Sequence, residues 1–195
     1  MSQPPRPRAR IWRRSRWLRP SMFLAVLIFF AFPFLTVGCL PANFGHVSAG
    51  GTTAYTGYDL ALGLAPSRAK DHLLPTGRRS ADLLGVHPLL IIAVVLVLAG
   101  LAAGIWIQVV SVRRVASAAA AGLAALFVLV GAGLARSSLI GLVEGQTATV
   151  NLGEGKTAAS FVSYDKGYFL SLTALVVVAV VDIGLVAGAF WRSRR

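Results

Sequence analysis

Four long apolar stretches constrain the fold of this chain more than any other feature. Each is close to the length of about 17–25 residues that a helix needs to cross the hydrocarbon core of a bilayer. Only 13% of the 195 residues are charged, whereas a soluble domain carries about 25%. We therefore predict an all-α membrane protein built on a four-transmembrane-helix bundle. The predicted spans are residues 21–38, 88–110, 117–135 and 169–191.

The placement of arginine predicts how this bundle is oriented. The basic tail 1–20, the short loop 111–116 and the tail 192–195 together hold twelve arginines and no aspartate or glutamate. The two longer loops, 39–87 and 136–168, hold seven basic and six acidic residues. Because positively charged segments stay on the cytoplasmic side, we predict a multi-pass plasma-membrane protein with both termini cytoplasmic. The net charge of +12 then reflects orientation, and no nucleic acid is expected as a partner.

The two longer loops contain β-prone segments and are expected to form a small extracellular sheet. Thr52–Thr56 is flanked by glycine and predicts one strand. Thr147–Leu152 and Thr157–Tyr164 flank a Gly-Glu-Gly-Lys turn and predict a hairpin. An isolated hairpin is marginal in water, so we expect it to pair with the first strand. The layout is claudin-like by analogy only, since the tryptophan and paired cysteines of that family's first loop are absent.

The single cysteine, Cys39, leaves two interpretations open. A basic tail, an apolar run and Gly38 before Cys39 are typical of a bacterial lipoprotein signal. Against this, Thr36 occupies the position where such signals usually carry leucine, and the apolar run exceeds the usual length of about 7–15 residues. The working prediction is an uncleaved first helix. The alternative is lipidation at Cys39 with loss of residues 1–38.

Asp182 is the most informative residue in the predicted spans. A charged side chain at the centre of a spanning helix costs about 2.5–3.5 kcal/mol, so such residues usually face a partner inside the protein. Gln108 in the second span is the nearest polar candidate within the chain. The open alternatives are a protonated carboxyl group, a hydrogen bond within the bundle, a basic partner from another subunit, and an acid tolerated near the inner leaflet.

Two pairs of glycines predict where helices approach closely. Gly100 and Gly104 lie four residues apart in the second span, and Gly184 and Gly188 lie four residues apart in the fourth. This spacing lets two helix backbones pack tightly in a bilayer. Both spans run in the same direction and the pairs lie at similar depth. We therefore predict a parallel contact between the second and fourth spans.

The sequence contains no pattern typical of catalysis or metal binding. His46, His72 and His87 all lie in the longer loops, and no acid or cysteine accompanies them at a known ligand spacing. Nucleophile, phosphate-binding and dinucleotide-binding motifs are absent from the sequence. We therefore predict a protein that is not an enzyme, with no metal and no cofactor.

Three short segments carry a resemblance to a known group of proteins. They are a "PFLTV-small-C" segment at Pro33–Cys39, "TGYDL" at Thr56–Leu60 and "GYFLSL" at Gly167–Leu172. In these the chain resembles uncharacterised small four-helix integral membrane proteins of high-GC Gram-positive (actinobacterial) bacteria. The resemblance implies the four-helix architecture and implies no catalytic residues.

The functional expectation follows from the architecture. We expect an accessory or assembly subunit of a membrane complex, whose partners are the lipid bilayer and either another membrane protein or a second copy of the chain. The contact surface is expected on the outer sheet or on the face of Asp182. The alternative is a small transporter or channel component that uses Asp182, although apolar spans offer no polar path.

Overall fold

The computed structural model describes residues 20–38, 52–66, 84–107, 109–147 and 157–193. These residues form a helical bundle with a small sheet at one end. The elements in chain order are α1 (Pro20–Phe29), β1 (Pro33–Gly38), β2 (Thr52–Thr56), α2 (Gly57–Leu62), α3 (Pro88–Trp106), α4 (Val110–Thr147), a 3-10 helix (Ala158–Phe161), β3 (Val162–Tyr164) and α5 (Lys166–Ser193).

Three of the helices, α3, α4 and α5, are long and apolar enough to cross a membrane. Their exposed surfaces carry large apolar side chains such as Val95, Leu126 and Val180. The buried side of α4, which packs against α3 and α5, is instead rich in small residues, and its Ala121 and Ala132 are fully buried. An apolar exterior around a small-residue interior is the arrangement expected of helices that pack in lipid. The chain is therefore a multi-pass membrane protein, as predicted.

The prediction of a first spanning helix over residues 21–38 is only partly confirmed. This segment forms a ten-residue helix, α1, of about 15 Å at 1.5 Å per residue. The chain then turns and continues as strand β1 from Pro33. Proline lacks the N–H that a helix interior needs and disfavours helical geometry at the residue before it. The prediction of a complete fourth spanning helix is therefore wrong for residues 33–38.

The helix α1 still belongs to the bundle. Phe23 and Val26 of α1 and Phe30, directly after its last residue, are fully buried and lie three or four residues apart on one face. At its start, Pro20 lies beside Gly104 near the end of α3. The helix therefore begins at the end of the bundle where α3 finishes and α4 starts with Arg113 and Arg114 in its first two turns. We call this the arginine end, and the opposite end the sheet end.

The sheet has the strand order β2-β1-β3, with β1 antiparallel to both neighbours. Thr36 of β1 pairs with Ala54 on one side and with Ser163 on the other. The predicted strand Thr52–Thr56 is confirmed as β2. The sequence analysis missed β1 because its residues were assigned to the first span. This strand takes the central position in the sheet.

The predicted hairpin lies largely outside the described residues. Its first arm would begin at Thr147, which is the last residue of α4, and residues 148–156 lie outside the described residues. Of the second arm, Ala158–Phe161 forms a 3-10 helix and only Val162–Tyr164 is a strand. That strand pairs with β1 and not with β2.

The helix α4 runs through both the bundle and the sheet end of the molecule. Its 38 residues span about 57 Å, nearly twice the hydrocarbon core of about 30 Å. The predicted loop 111–116 and the first residues after 135 are helical because no proline or turn sequence interrupts them. Leu139 and Val143, beyond the predicted third span, are fully buried in the same core that contains the sheet. One continuous helix thus connects bundle and sheet.

Candidate functional site

Three segments that are distant in the sequence, namely β1, the start of α2 and the first turn of α5, meet at one place, where the sheet joins the bundle. We call this the junction; its central residues are Phe30, Phe34, Gly57, Gly167 and Tyr168. The Phe30 and Phe34 rings lie 4.8 Å apart, and the Phe34 and Tyr168 rings meet edge to face at 6.3 Å. Both phenylalanines are fully buried. The three segments are far apart in the sequence and form a single packing unit.

Gly57 and Gly167 allow this close approach. A methyl group at position 57 would lie 2.8 Å from the Phe30 ring. A methyl group at position 167 would lie 2.6 Å from the carbonyl oxygen of Phe32 and 2.7 Å from that of Pro33. The first turn of α5 therefore rests directly on the backbone where the chain enters β1.

The short helix α2 is fixed by its first residues. The Thr56 hydroxyl accepts a hydrogen bond from the Asp59 amide at 3.1 Å, and the Asp59 carboxylate accepts one from the Thr56 amide at 2.9 Å. This capping box satisfies two backbone donors that a helix start leaves open. Tyr58 donates from its hydroxyl to the Leu27 carbonyl at 2.8 Å, and burial raises the pKa of Tyr58. The helix α2 is thereby tied to α1.

Arg136 joins α4 to the sheet. Its Nε donates to the Val162 carbonyl at 3.2 Å, and its Nη2 donates to the Ala159 carbonyl at 3.3 Å. The guanidinium carbon lies 5.6 Å from the centre of the Tyr164 ring, which stacks at 4.5 Å on Tyr168. Sequence reasoning counted Arg136 only as a loop charge. The available signal was its position directly after a long apolar run, where one arginine can serve buried carbonyl groups.

Asp182 lies inside the molecule, only 1% exposed. The buried residues of α5 recur every three or four positions and form one stripe: Tyr168, Ser171, Leu175, Val178 and Asp182. Asp182 is therefore on the side of α5 that packs on the bundle, about 24 Å along the helix from Lys166. It does not face a partner protein on the outer surface, as one hypothesis required. Gln108, its predicted neighbour, lies outside the described residues.

The glycine pairs do not form the predicted contact between the second and fourth spans. A methyl group at Gly100 would lie 2.5 Å from the Phe23 ring, and one at Gly104 would lie 3.6 Å from Pro20. Both therefore accommodate α1. Gly184 and Gly188 have no described atom within 4 Å of such a methyl group. The contact is not formed because α4 packs against both α3 and α5.

Most of the other residues that the sequence analysis singled out lie outside the described residues. Cys39, His46 and His72 lie outside the described residues. His87 precedes α3, and burial lowers its pKa. Among the described residues there is no group of three or more histidine, cysteine, aspartate or glutamate side chains placed to hold a metal ion.

Fold and junction together define a multi-pass membrane protein whose small sheet shares one buried core with its helices. A comparison with protein-family models and with curated proteins found no match for the chain. The functional argument therefore rests on the geometry of the chain itself.

Proposed function

We propose that the protein is a non-enzymatic, multi-pass plasma-membrane protein that acts as an accessory or assembly subunit of a membrane complex. The observation that carries this proposal is the packing of the sheet directly against the bundle. The sheet, the junction and the helices share one buried core. Arg136 adds direct hydrogen bonds from α4 to the segment that leads into β3.

A sheet that packs on the helices in this way suits the binding of another protein. A surface that is already ordered loses little conformational freedom when a partner binds, so more of the contact energy appears as affinity. The helix α4 extends from the bundle into the core beneath the sheet, where Leu139 and Val143 are buried. The exposed face of the sheet includes Ser163, whose hydroxyl lies 3.0 Å from that of Thr36. We take this face as the partner-binding surface.

The charge distribution supports cytoplasmic termini. Arg113 and Arg114 lie at the arginine end, where α1 also begins, and α5 runs toward that end with Arg192 in its last turn. Seven further arginines precede residue 20 in the sequence. Positively charged segments of this kind remain in the cytoplasm, so the sheet end faces outward.

Purification of the tagged protein from its own membranes in a mild detergent, followed by native mass spectrometry, tests the proposal. We expect a second protein in fixed stoichiometry. Ser163→Lys should reduce its recovery severalfold, because a charge on the binding face must be desolvated in the complex. Ser137→Lys, also exposed near the sheet end but on α4, should leave recovery unchanged. A chain that always purifies alone or only with copies of itself would contradict the proposal.

A small transporter or channel component remains the alternative, favoured by the burial of Asp182 together with Ser117 and Ser171. The variant Asp182→Asn separates the two functions because it removes the charge and keeps the shape. We expect Asp182→Asn to leave both partner recovery and proton flux through proteoliposomes unchanged. Flux that is present in the natural protein and lost in Asp182→Asn, with the complex intact, would establish the transporter. Ser171→Ala serves as the control for a buried polar change without charge.

A further inference from the structure

Three apolar side chains are exposed at the sheet end, outside the spanning segments. Leu62 is the last residue of α2, Leu64 follows two residues later, and Val86 lies two residues before α3. Their exposed fractions are 53%, 48% and 56%. We call Leu62, Leu64 and Val86 the apolar shelf.

The two segments that carry the apolar shelf are packed together. A methyl group at Gly63 would lie 2.9 Å from the carbonyl oxygen of Gly85. The His87 amide donates a hydrogen bond to the Leu60 carbonyl at 3.4 Å. The three side chains therefore belong to one local surface. A contiguous exposed apolar surface marks a site of contact with protein or with membrane.

The helix α3 places the apolar shelf at a boundary of the bilayer. Its 19 residues span about 28 Å, nearly the hydrocarbon core of about 30 Å. Its last residue, Trp106, is 81% exposed, and exposed tryptophan is typical of the boundary between hydrocarbon and headgroups. Pro88 therefore lies at the opposite boundary. Val86 and the end of α2 then lie in the headgroup layer of about 5–8 Å that follows.

The chain around the apolar shelf is suited to this layer. Among residues 60–66 and 84–87, His87 is the only one with an ionisable side chain. The amides of Gly63 and Leu64 both donate to the Asp59 carbonyl, so the end of α2 pairs these donors within the chain. Backbone groups that are already paired can enter a weakly polar environment at low cost.

The apolar shelf also continues the outer surface of α3. The exposed residues Pro88, Ile92 and Val95 recur every three or four positions and form one stripe of this helix. Val86 lies directly before that stripe. Because the outer surface of a spanning helix contacts lipid, the same lipid leaflet extends to the apolar shelf.

We propose that the apolar shelf lies in the headgroup layer of the leaflet at the sheet end and contacts the headgroup ends of the acyl chains. Apolar faces of helices that lie on a membrane are buried at this depth. Part of the predicted loop 39–87 is then an interfacial anchor that holds the sheet end close to the membrane surface. This contact is independent of the proposed protein partner.

Spin labels on single cysteines test the proposal. The background is Cys39→Ser, which removes the only native cysteine. The full chain carrying Leu62→Cys, Leu64→Cys or Val86→Cys is labelled and reconstituted alone into phosphatidylcholine bilayers. Collision rates are measured with molecular oxygen, which concentrates in hydrocarbon, and with a polar nickel chelate, which stays in water. We expect the ratio of oxygen to nickel collisions at all three positions to be severalfold higher than at Thr52→Cys.

Two reference positions calibrate the measurement. Thr52→Cys is exposed on β2 and should report water. Val95→Cys is exposed within α3 and should give a ratio above that of the apolar shelf, because it lies deeper in the hydrocarbon. A shelf ratio equal to that of Thr52→Cys would overturn the proposal, since the surface would then face water. Low collision rates with both reagents would also overturn it, because protein would then cover the shelf. The bilayers contain no other protein, so neither outcome depends on the proposed partner.

Discussion

The variant Gly167→Ala is expected to lose about 3 kcal/mol of stability, near the top of the range for overpacked sites. The new methyl group would lie 2.6 Å from the Phe32 carbonyl oxygen and 2.7 Å from that of Pro33. Real contacts of this kind are essentially never shorter than 3.0 Å. The obstacle is backbone, so no side-chain rotation relieves it. The adjacent strand β1 is held on both sides by β2 and β3 and has little freedom to retreat.

The measurement is thermal unfolding in detergent, followed by circular dichroism and by the fraction that remains monodisperse. Gly122→Ala is the matched control, since it lies in α4 with no described atom within 4 Å of the added methyl group. Alanine is favoured over glycine in a helix interior by about 0.5–1 kcal/mol, so this control should unfold at the same temperature or higher. A Gly167→Ala protein that unfolds like the control would show that α5 does not rest on the start of β1.

Removal of residues 1–38 is expected to abolish folding. Lipoprotein processing at Cys39 would produce this shortened chain. The deletion removes α1 and the central strand, including the fully buried Phe34, Leu35 and Val37 of β1. Burial of each such side chain contributes about 1.5–3 kcal/mol. Their sum of about 5–9 kcal/mol is comparable with the whole stability of a typical domain, about 5–15 kcal/mol.

This experiment uses residues 39–195 behind an unrelated cleavable signal, so that export does not depend on the deleted segment. We expect no monodisperse protein after extraction. Cys39→Ser in the full chain is the control and should accumulate normally, with the same mass apart from the substitution. Normal accumulation of the shortened chain, or loss of an acylated species in Cys39→Ser, would support lipidation instead.

The spanning helices could be predicted from the sequence because their length and hydropathy leave few alternatives. β1 could not, because a short apolar run such as Pro33–Gly38 is compatible with either a helix end or a buried strand. Pro33 and the β-branched Thr36 and Val37 were the local signals for a strand. The neighbours that decide the matter lie far along the chain: Thr36 contacts Ser163, 127 residues away. Hydropathy carries no information about such a pairing.

The site was harder to predict than the fold. The spacing of Gly100 and Gly104 correctly indicated a close approach, but spacing does not identify the neighbour, and α1 fills the space. Asp182 was correctly singled out as unusual, yet its buried position on α5 depends on how the helices pack. The role of Arg136 depends on carbonyl groups of Ala159 and Val162, which no local pattern indicates.

The central claim is that residues 33–38 form the middle strand of a sheet and not the end of a spanning helix. The most direct measurement is disulfide formation in Thr36→Cys/Ser163→Cys, with Cys39→Ser removing the only native cysteine. The natural hydroxyl oxygens of this pair lie 3.0 Å apart, and directly opposed strand residues satisfy the Cα separation of about 4.4–6.8 Å that a disulfide requires.

The control, Thr36→Cys/Ser160→Cys, uses an exposed serine of the 3-10 helix. We predict that mild oxidation links Thr36→Cys/Ser163→Cys almost completely within one chain and leaves the control largely reduced. Equal linkage of both pairs, or none in either, would contradict the account.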